Sequence, residues 1–296
     1  YLKQRQEFQN KRSVVPYNNV IIYSIAILDI IVSNETLKNI LGTKNAPLIV
    51  DTRPFSEYLK GHIPTAVNID LFQFHWSDSS KIGIRQFEIQ SRKLLSNIGI
   101  RSRVPTIFYD YISGMLAARG VWLLHYFGDK KASMLDGGFE KWKYNNYPIE
   151  TITNPFKHST YTGRPNRKII AGSSEVLSSL TEQEVVLIDA RTKEEYDGIH
   201  IRASRPGHIP NAINIDWEQN ILNGQFKNPS KLSKVYSSIS KKSPIITYCQ
   251  GGFRAANTYV ALKLAGFKNV KMYLGSWGEW GNNYNFPVEP STIQKD

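Results

Sequence analysis

The chain has 296 residues, of which 41% are hydrophobic and 21% are charged, and its formal net charge is +12. Such a composition is typical of a folded globular protein and excludes a disordered or a fibrous one. The length favours two domains, each large enough to bury its own core. The basic residues are scattered along the chain, which favours a solvated surface and small anionic partners over nucleic acid.

The first apolar stretch runs from Val20 to Val32 and is interrupted by Asp29. It is shorter than the roughly 18 to 20 apolar residues that a membrane span needs, so we predict a strand and no membrane association. No basic segment followed by an apolar core and a small-residue cleavage site is visible. Cys249 is the single cysteine, which excludes an internal disulfide and predicts a reducing, cytoplasmic location.

An internal repeat organises the rest of the chain. Four segments of the first half recur in the second half in the same order. They pair as Leu48–Tyr58 with Val186–Tyr196, Gly61–Asp70 with Gly207–Asp216, Pro105–Asp110 with Pro244–Cys249, and Gly137–Trp142 with Gly275–Trp280. The shared order predicts that one domain has been duplicated.

Each copy alternates short β-branched runs with helical patterns, which predicts strand–helix units around a mainly parallel sheet. The predicted strands are Ile49–Val50 and Ile107–Phe108 in the first copy, and Leu187–Ile188 and Ile245–Ile246 in the second. Apolar residues at spacings of three and four predict helices that begin near Met115 and Phe253 and end before Gly128 and Gly266.

A polar segment with two prolines and little periodicity, from Thr151 to Lys168, separates the two copies and predicts a linker. The expected architecture is therefore α/β, with two tandem domains that each contain a mainly parallel sheet flanked by helices. We assign residues 1–150 to the first domain and residues 165–296 to the second.

The two copies differ most in the loop between the second predicted strand and the following helix. The first copy reads Asp-Tyr-Ile-Ser-Gly from Asp110, whereas the second reads Cys-Gln-Gly-Gly-Phe-Arg from Cys249 to Arg254. Residues that occur in both copies, such as His62 and His208, are explained by the shared fold. We therefore disfavour a catalytic Cys–His dyad of Cys249 with His208 and predict a structural role for both histidines.

The strand–loop–helix order places Cys249 at the carboxyl edge of a sheet, where open α/β sheets bind their ligands. Gly251 and Gly252 allow a tight curl whose main-chain N–H groups point inward. Together with the helix N-terminus and Arg254, these groups favour negative charge on the sulfur. We therefore predict a thiolate nucleophile at Cys249 and an anionic substrate.

With these motifs the chain resembles the tandem-domain rhodanese family of thiosulfate and 3-mercaptopyruvate sulfurtransferases, from about residue 28 to its C-terminus. The resemblance rests on the paired Asp-x-Arg and Gly-His-Ile-Pro-x-Ala blocks, the Cys249–Gly252 loop and the Gly275–Trp280 block. It implies two rhodanese-like domains, of which the first is catalytically inactive because Asp110 occupies the cysteine position. It also implies a Cys249 persulfide cradled by the main-chain amides of Gln250, Gly251, Gly252, Phe253 and Arg254.

The loop departs from the Cys-Gly-Ser-Gly-Val-Thr pattern that is usual in the mercaptopyruvate enzymes. The resemblance therefore favours thiosulfate as the sulfur donor, with cyanide, a small thiol or a thioredoxin-like protein as the acceptor. Many two-domain members use an arginine to contact the donor anion where this chain has Glu195. Arg254 is the candidate replacement, and Arg202, Arg205 and Trp277 are further candidates for the pocket. Neither a metal nor an organic cofactor is expected.

Three alternatives stay open on the sequence alone. A 3-mercaptopyruvate sulfurtransferase would differ in the donor. A Cys-loop phosphatase or arsenate reductase would have a longer loop than the four residues that separate Cys249 from Arg254 here. A non-catalytic rhodanese-like binding protein would contain Cys249 as an incidental thiol.

Overall fold

The computed structural model describes residues 29–182 and 184–289. Residues 1–28 of the predicted first domain, and with them most of the predicted strand from Val20 to Val32, lie outside the described residues. The end of that stretch, Ile31–Val32, does form a strand. Within the described ranges, no helix has the length and apolar character needed to cross a membrane.

The first sheet has five strands in the order β1-β5-β4-β2-β3, and all its neighbouring strands are parallel. Its strands are β1 (Ile31–Val32), β2 (Leu48–Asp51), β3 (Val67–Asn68), β4 (Thr106–Tyr109) and β5 (Ala132–Leu135). The accompanying helices are α1 (Asn34–Ile40), α2 (Phe55–Lys60), α3 (Lys81–Asn97), α4 (Met115–Tyr126) and α5 (Gly138–Tyr144).

The second sheet repeats this topology in the order β6-β12-β11-β7-β8, again with parallel neighbours, and the second copy adds an antiparallel β9–β10 hairpin. The strands are β6 (Ile170–Ala171), β7 (Val186–Asp189), β8 (Ile213–Asn214), β9 (Ile221–Leu222), β10 (Gln225–Phe226), β11 (Ile245–Tyr248) and β12 (Val270–Tyr273). The helices are α6 (Ser173–Ser179), α7 (Lys193–Tyr196), α8 (Pro229–Val235), α9 (Phe253–Leu264) and α10 (Ser276–Trp280). The predicted duplication and parallel sheets are confirmed.

Burial on both faces explains why the central strands are continuous apolar runs. Ile107 and Phe108 are adjacent in β4 and point to opposite faces, Ile107 into a core of the first domain and Phe108 into a larger core. That larger core includes Trp122 of α4 and Val260 of α9, because these two helices pack against each other. Each helix therefore reaches the domain that it does not belong to.

The helix bounds follow from the residues at their ends. Helices α4 and α9 begin at Met115 and Phe253, as the apolar spacing predicts. Beyond their last turns, Gly128 and Gly266 have φ angles of +78° and +90°. Glycine adopts this left-handed backbone at low cost, which makes it a common helix stop.

The residues shared by both copies form the same contacts in both. Arg53 binds the Asp51 carboxylate through Nε and Nη2, and Arg191 binds Asp189 in the same way, with all four side chains buried. His208 stacks on the Tyr196 ring at 3.6 Å between centroids, and its Nδ1 is 2.9 Å from the Tyr196 carbonyl oxygen. His62 contacts Tyr58 in the same manner. These matching contacts in both copies are what a structural role of the two histidines predicts.

Candidate active site

Cys249 lies between β11 and α9 at the carboxyl edge of the second sheet. The residue is 1% exposed, and its Sγ accepts a hydrogen bond from the Gly252 N–H at 3.1 Å. The backbone is fixed from the other side, because the Trp277 N–H donates to the Cys249 carbonyl oxygen at 2.8 Å. The strand, the loop and the next turn thus hold the sulfur at the start of α9.

One main-chain N–H group of this loop binds the sulfur. Gly252 has a φ of +86°, a backbone conformation that strains other residues, and its N–H points at Sγ. Among the described residues, the other four amides that the resemblance implies do not donate to Sγ. Phe253 and Arg254 begin a 12-residue helix, so their N–H groups have no acceptor within it and stay available to a bound anion.

Ser276 is a site residue that sequence reasoning missed. Its φ is +53°, which is uncommon for a residue other than glycine, and its first-copy counterpart Gly138 has a φ of +56°. The Ser276 hydroxyl donates to the Tyr273 carbonyl oxygen at 3.0 Å and accepts the Cys249 N–H at 3.3 Å. The repeat contained the signal, since serine replaces glycine at this position in the copy with the cysteine.

Arg254 lies beside the loop, and its charge is balanced. Both its terminal nitrogens donate to the buried Glu195 carboxylate, with an Nη2–Oε1 distance of 2.9 Å. Burial raises the pKa of Glu195, but the Arg254 hydrogen bond and charge outweigh burial and lower it overall. The interpretation of Arg254 as a free replacement for the family arginine is therefore corrected, because Glu195 occupies its guanidinium.

The other three predicted pocket residues have different environments. Arg202 is half exposed, with its Nη1 3.6 Å from Glu195 Oε1, and its carbonyl oxygen accepts the Gln250 side-chain amide at 2.9 Å. It stays at the margin of the loop. Arg205 instead donates to four carbonyl oxygens between residues 280 and 286. Trp277 is 1% exposed and packs under the Arg191 guanidinium, 4.6 Å from ring centroid to Cζ. Arg205 and Trp277 therefore support the backbone instead of lining a pocket.

The first domain covers the loop, which the sequence did not predict. A Cβ placed on Gly251 would lie 2.3 Å from His75 Cε1, so the imidazole packs directly on that glycine. The Phe72 ring lies 5.4 Å from the Phe253 ring between centroids. Burial, and then the charge of Arg119, lower the pKa of His75, which keeps the imidazole neutral at pH 7. Because these side chains come from the other domain, motif spacing within one copy gives no sign of them.

The equivalent loop of the first domain has the Asp110 carboxyl group at its centre, and burial raises the pKa of that group. The Asp110 carboxylate accepts the N–H groups of Tyr111 at 2.7 Å and Leu116 at 3.0 Å. The second domain covers this loop too, since the Ser113 N–H donates to the Gly224 carbonyl oxygen at 2.8 Å. The two loops thus have the same support and cover but a different residue at the centre.

A family model described as the rhodanese-like domain matches residues 33–145 and 173–283. This chain belongs to the rhodanese family. The thiosulfate sulfurtransferase of Corynebacterium glutamicum is 32% identical over 282 residues, which cover 90% of this chain and 92% of that protein. The 3-mercaptopyruvate sulfurtransferase of Escherichia coli is 31% identical over 250 residues, covering 81% and 87%.

The fold of this rhodanese is also similar to the crystal structure of SseA, a 3-mercaptopyruvate sulfotransferase of Escherichia coli. The TM-score is 0.73 at 26% identity, and the match covers 84% of this chain and 98% of that one. The family, its relatives and this fold make the chain a sulfurtransferase of the rhodanese type, which acts on a sulfur donor and an acceptor.

Proposed function

We propose that this rhodanese transfers the outer sulfur of thiosulfate to cyanide or a thiol through a persulfide on Cys249. The observation that supports this most directly is the Gly252 N–H, which donates to Sγ at 3.1 Å at the start of α9. A main-chain donor and a helix N-terminus both stabilise negative charge on sulfur. Cys249 is also the single cysteine of the chain, so any persulfide must form there.

The reaction has two displacement steps. The Cys249 thiolate attacks the outer sulfur of thiosulfate, a new S–S bond forms, the S–S bond of thiosulfate breaks, and its electron pair leaves with sulfite. Cyanide or a thiolate then attacks the terminal sulfur, and the electron pair of the breaking bond returns to Cys249. This is covalent catalysis with a single nucleophile. The Gly252 amide and the first-turn amides of α9 stabilise the charge in both steps.

We assign the two domains different roles in this proposal. Residues 165–296 form the catalytic domain, and residues 1–150 form a domain without transfer activity, since Asp110 replaces the nucleophile. The first domain still contributes the cover of the loop through His75. Because Cys249 is buried, a donor reaches the sulfur only when this cover opens. A thioredoxin-like protein is an acceptor that would present its own thiol at the same opening.

Mass spectrometry of the intact protein tests the proposal. Incubation with thiosulfate should add one sulfur atom to the wild type and release one sulfite, and cyanide should remove that sulfur as thiocyanate. The Cys249→Ser variant is the matched control and should gain nothing. An intact, folded wild type that takes up no sulfur from thiosulfate would overturn thiosulfate as the donor.

3-Mercaptopyruvate is the second candidate donor, and the Glu195–Arg254 pair favours it. Because Glu195 neutralises Arg254, the loop offers less positive charge to a dianion than a free arginine would. A relative with the mercaptopyruvate activity is also 31% identical. Comparing kcat/KM for both donors with one acceptor decides between them: a higher value for thiosulfate supports our proposal, and a higher value for mercaptopyruvate replaces it.

A further inference from the structure

Arg119 is a buried cation that crosses from the first domain into the second. It lies on α4 and is 2% exposed. Its guanidinium carbon is 4.6 Å from the Trp122 ring centroid and 5.6 Å from that of Phe253, the first residue of α9. Its Nη1 donates to Met272 Sδ at 3.5 Å. The side chain therefore ends inside the catalytic domain.

This guanidinium lies next to the sulfur loop. A Cβ added to Gly252 would be 3.0 Å from Arg119 Nη1, and Gly252 is the residue whose N–H donates to Cys249 Sγ. Burial lowers the pKa of Arg119 to about 10, and the negative charge of Cys249 opposes this shift. Arg119 therefore stays protonated at neutral pH and interacts electrostatically with the sulfur.

The charge of Arg119 has no carboxylate partner among residues 29–182 and 184–289. Its Nη2 has no hydrogen-bond partner within these ranges, and it takes part in none of their ion pairs. The buried Arg53 and Arg191, by contrast, each bind an aspartate. A buried charge is costly unless it is compensated, so the environment of Arg119 requires an anion. The nearby anion of the proposed function is the sulfur of Cys249.

The repeat supplies an internal comparison. The helices align at an offset of 138, which pairs Arg119 with Asn257. Each of these residues reaches the loop of the opposite domain, since Asn257 Nδ2 donates to the Ser113 carbonyl oxygen at 2.9 Å. The neutral amide therefore faces the loop that already contains the Asp110 carboxylate. The cation faces the loop whose anion is a thiolate or a persulfide.

We propose that Arg119, a residue of the domain without a nucleophile, is a positioning residue that stabilises the Cys249 thiolate and its persulfide electrostatically. The inference rests on the proposed role of Cys249 as the sulfur carrier. In the first transfer step, the negative charge moves from Sγ to the terminal persulfide sulfur while sulfite leaves. The charge of Arg119 stays in place throughout, because its guanidinium is fixed between aromatic rings. The first domain therefore contributes a charge to catalysis in addition to a cover.

Alkylation of Cys249 by two reagents of similar size and different charge tests the inference. We compare the rate constants of iodoacetate and iodoacetamide in the wild type and in Arg119→Met, at high salt so that the scattered surface charges are screened. The iodoacetate-to-iodoacetamide ratio should fall about tenfold in the variant, as expected for the loss of a nearby buried cation. Opening of the cover affects both reagents alike and cancels in the ratio.

Two further variants separate charge from structure. Arg119→Lys keeps a cation and should keep the ratio within about threefold of the wild type. Arg92→Met removes another first-domain arginine, whose guanidinium lies 5.1 Å from the Phe127 ring, and should leave the ratio unchanged. An unchanged ratio in Arg119→Met overturns the inference, and so does an equal fall in Arg119→Met and Arg119→Lys.

Two measurements keep the test decisive if variants fail or if the proposed function is wrong. If Arg119→Met does not fold, Arg119→Gln supplies the neutral side chain. If neither folds, the wild-type ratio must exceed that of the same chain unfolded in urea, and an equal ratio contradicts the inference. The alkylation rates do not depend on thiosulfate. If the wild type takes up sulfur but the alkylation ratio is unchanged in Arg119→Met, the inference alone is rejected. If the ratio falls in Arg119→Met but the wild type takes up no sulfur, the proposed function alone is rejected.

Discussion

The two loops at the carboxyl edges of the sheets have the same framework and different central residues. In the first domain, two main-chain N–H groups bind the Asp110 carboxylate. In the second, the Gly252 N–H binds the Cys249 sulfur. In both loops the following turn donates to the central carbonyl oxygen at 2.8 Å, from Phe139 and Trp277 respectively. The fold therefore supplies the same loop framework twice, around two different central residues.

The residues that differ around the two loops are mainly charged or polar. Arg254 and Arg119 lie beside the Cys249 loop, whereas their counterparts Leu116 and Asn257 contact the Asp110 loop. Glu195 then neutralises Arg254, which leaves Arg119 as the cation that no carboxylate of the described residues balances. We therefore expect sulfur transfer to depend on these added charges, one of which comes from the first domain.

The largest loss of activity is expected from a substitution at Gly252. Gly252→Ala places a side chain at a φ of +86° and 3.0 Å from Arg119 Nη1, so the loop must shift and move the amide that binds Sγ. Loss of one such donor typically lowers the rate by two orders of magnitude or more, so kcat/KM for sulfur transfer should fall about a hundredfold. Steady-state thiocyanate formation from thiosulfate and cyanide measures the effect.

The first-loop glycine provides the control for this variant. Gly114→Ala brings a Cβ within 2.5 Å of Asp110 Oδ2, which strains the first loop without touching the sulfur. It should lower the melting temperature and leave kcat/KM of the remaining folded enzyme near the wild-type value. Equal losses of kcat/KM in the two variants would show that loop strain alone, in either domain, controls the activity.

The sequence predicted the strands, the helices and the position of the loops because these features depend on local residue patterns. The alternation of apolar runs and the position of Gly266 determine where β11 and α9 begin and end, and the duplication showed that Cys249 lies in a loop whose counterpart has Asp110 at that position. His75 and Arg119 were missed because they contact the Cys249 loop across a domain interface that motif spacing within one copy does not reveal. The Arg254–Glu195 pair was missed because Arg254, at the start of α9, and Glu195, in the short helix α7, are 59 positions apart and meet only after the sheet forms.

Removing the carboxylate that neutralises Arg254 should change the kinetics of sulfur transfer less than Gly252→Ala does. Glu195→Gln frees the positive charge of Arg254 beside the loop, so a dianionic donor should bind better. We expect KM for thiosulfate to fall about three- to tenfold, with a smaller change for the monoanion mercaptopyruvate. Initial rates over a range of donor concentrations measure this change, and an unchanged KM for both donors would place the pair outside the donor site.

The same variant gives a pH test of the pair. Since the pKa of Glu195 is lowered from 4.5 in the folded state, the ion pair stabilises the fold above that value. This stability is lost as the pH falls through the lower folded-state value, when the carboxyl takes up a proton. Glu195→Gln cannot take up that proton, so its unfolding free energy should depend less on pH below about 4.5 than that of the wild type. Urea unfolding at several acidic pH values shows the difference.

Only a small sulfur uptake is expected when a cysteine is introduced into the first loop. In a Cys249→Ser background, Asp110→Cys places a thiol in a loop with main-chain donors and a cover of its own. Leu116 and Asn257 stand where the second loop has Arg254 and Arg119. If the added charges create the reactivity, this protein should take up less than about a tenth of the sulfur that the wild type takes up from thiosulfate.

Alkylation in urea must first show that the new thiol is intact and fully reactive when the chain is unfolded. Sulfur uptake at the wild-type level would mean that the loop framework suffices and that Arg119 and Arg254 are dispensable. Uptake that appears only when Asn257→Arg is added would show the opposite, because Asn257 reaches the first loop at the Ser113 carbonyl oxygen, 2.9 Å away. In that variant an arginine of the second domain would lie beside the first loop, as Arg119 of the first domain lies beside the second loop. The first loop would then have the charge arrangement of the second.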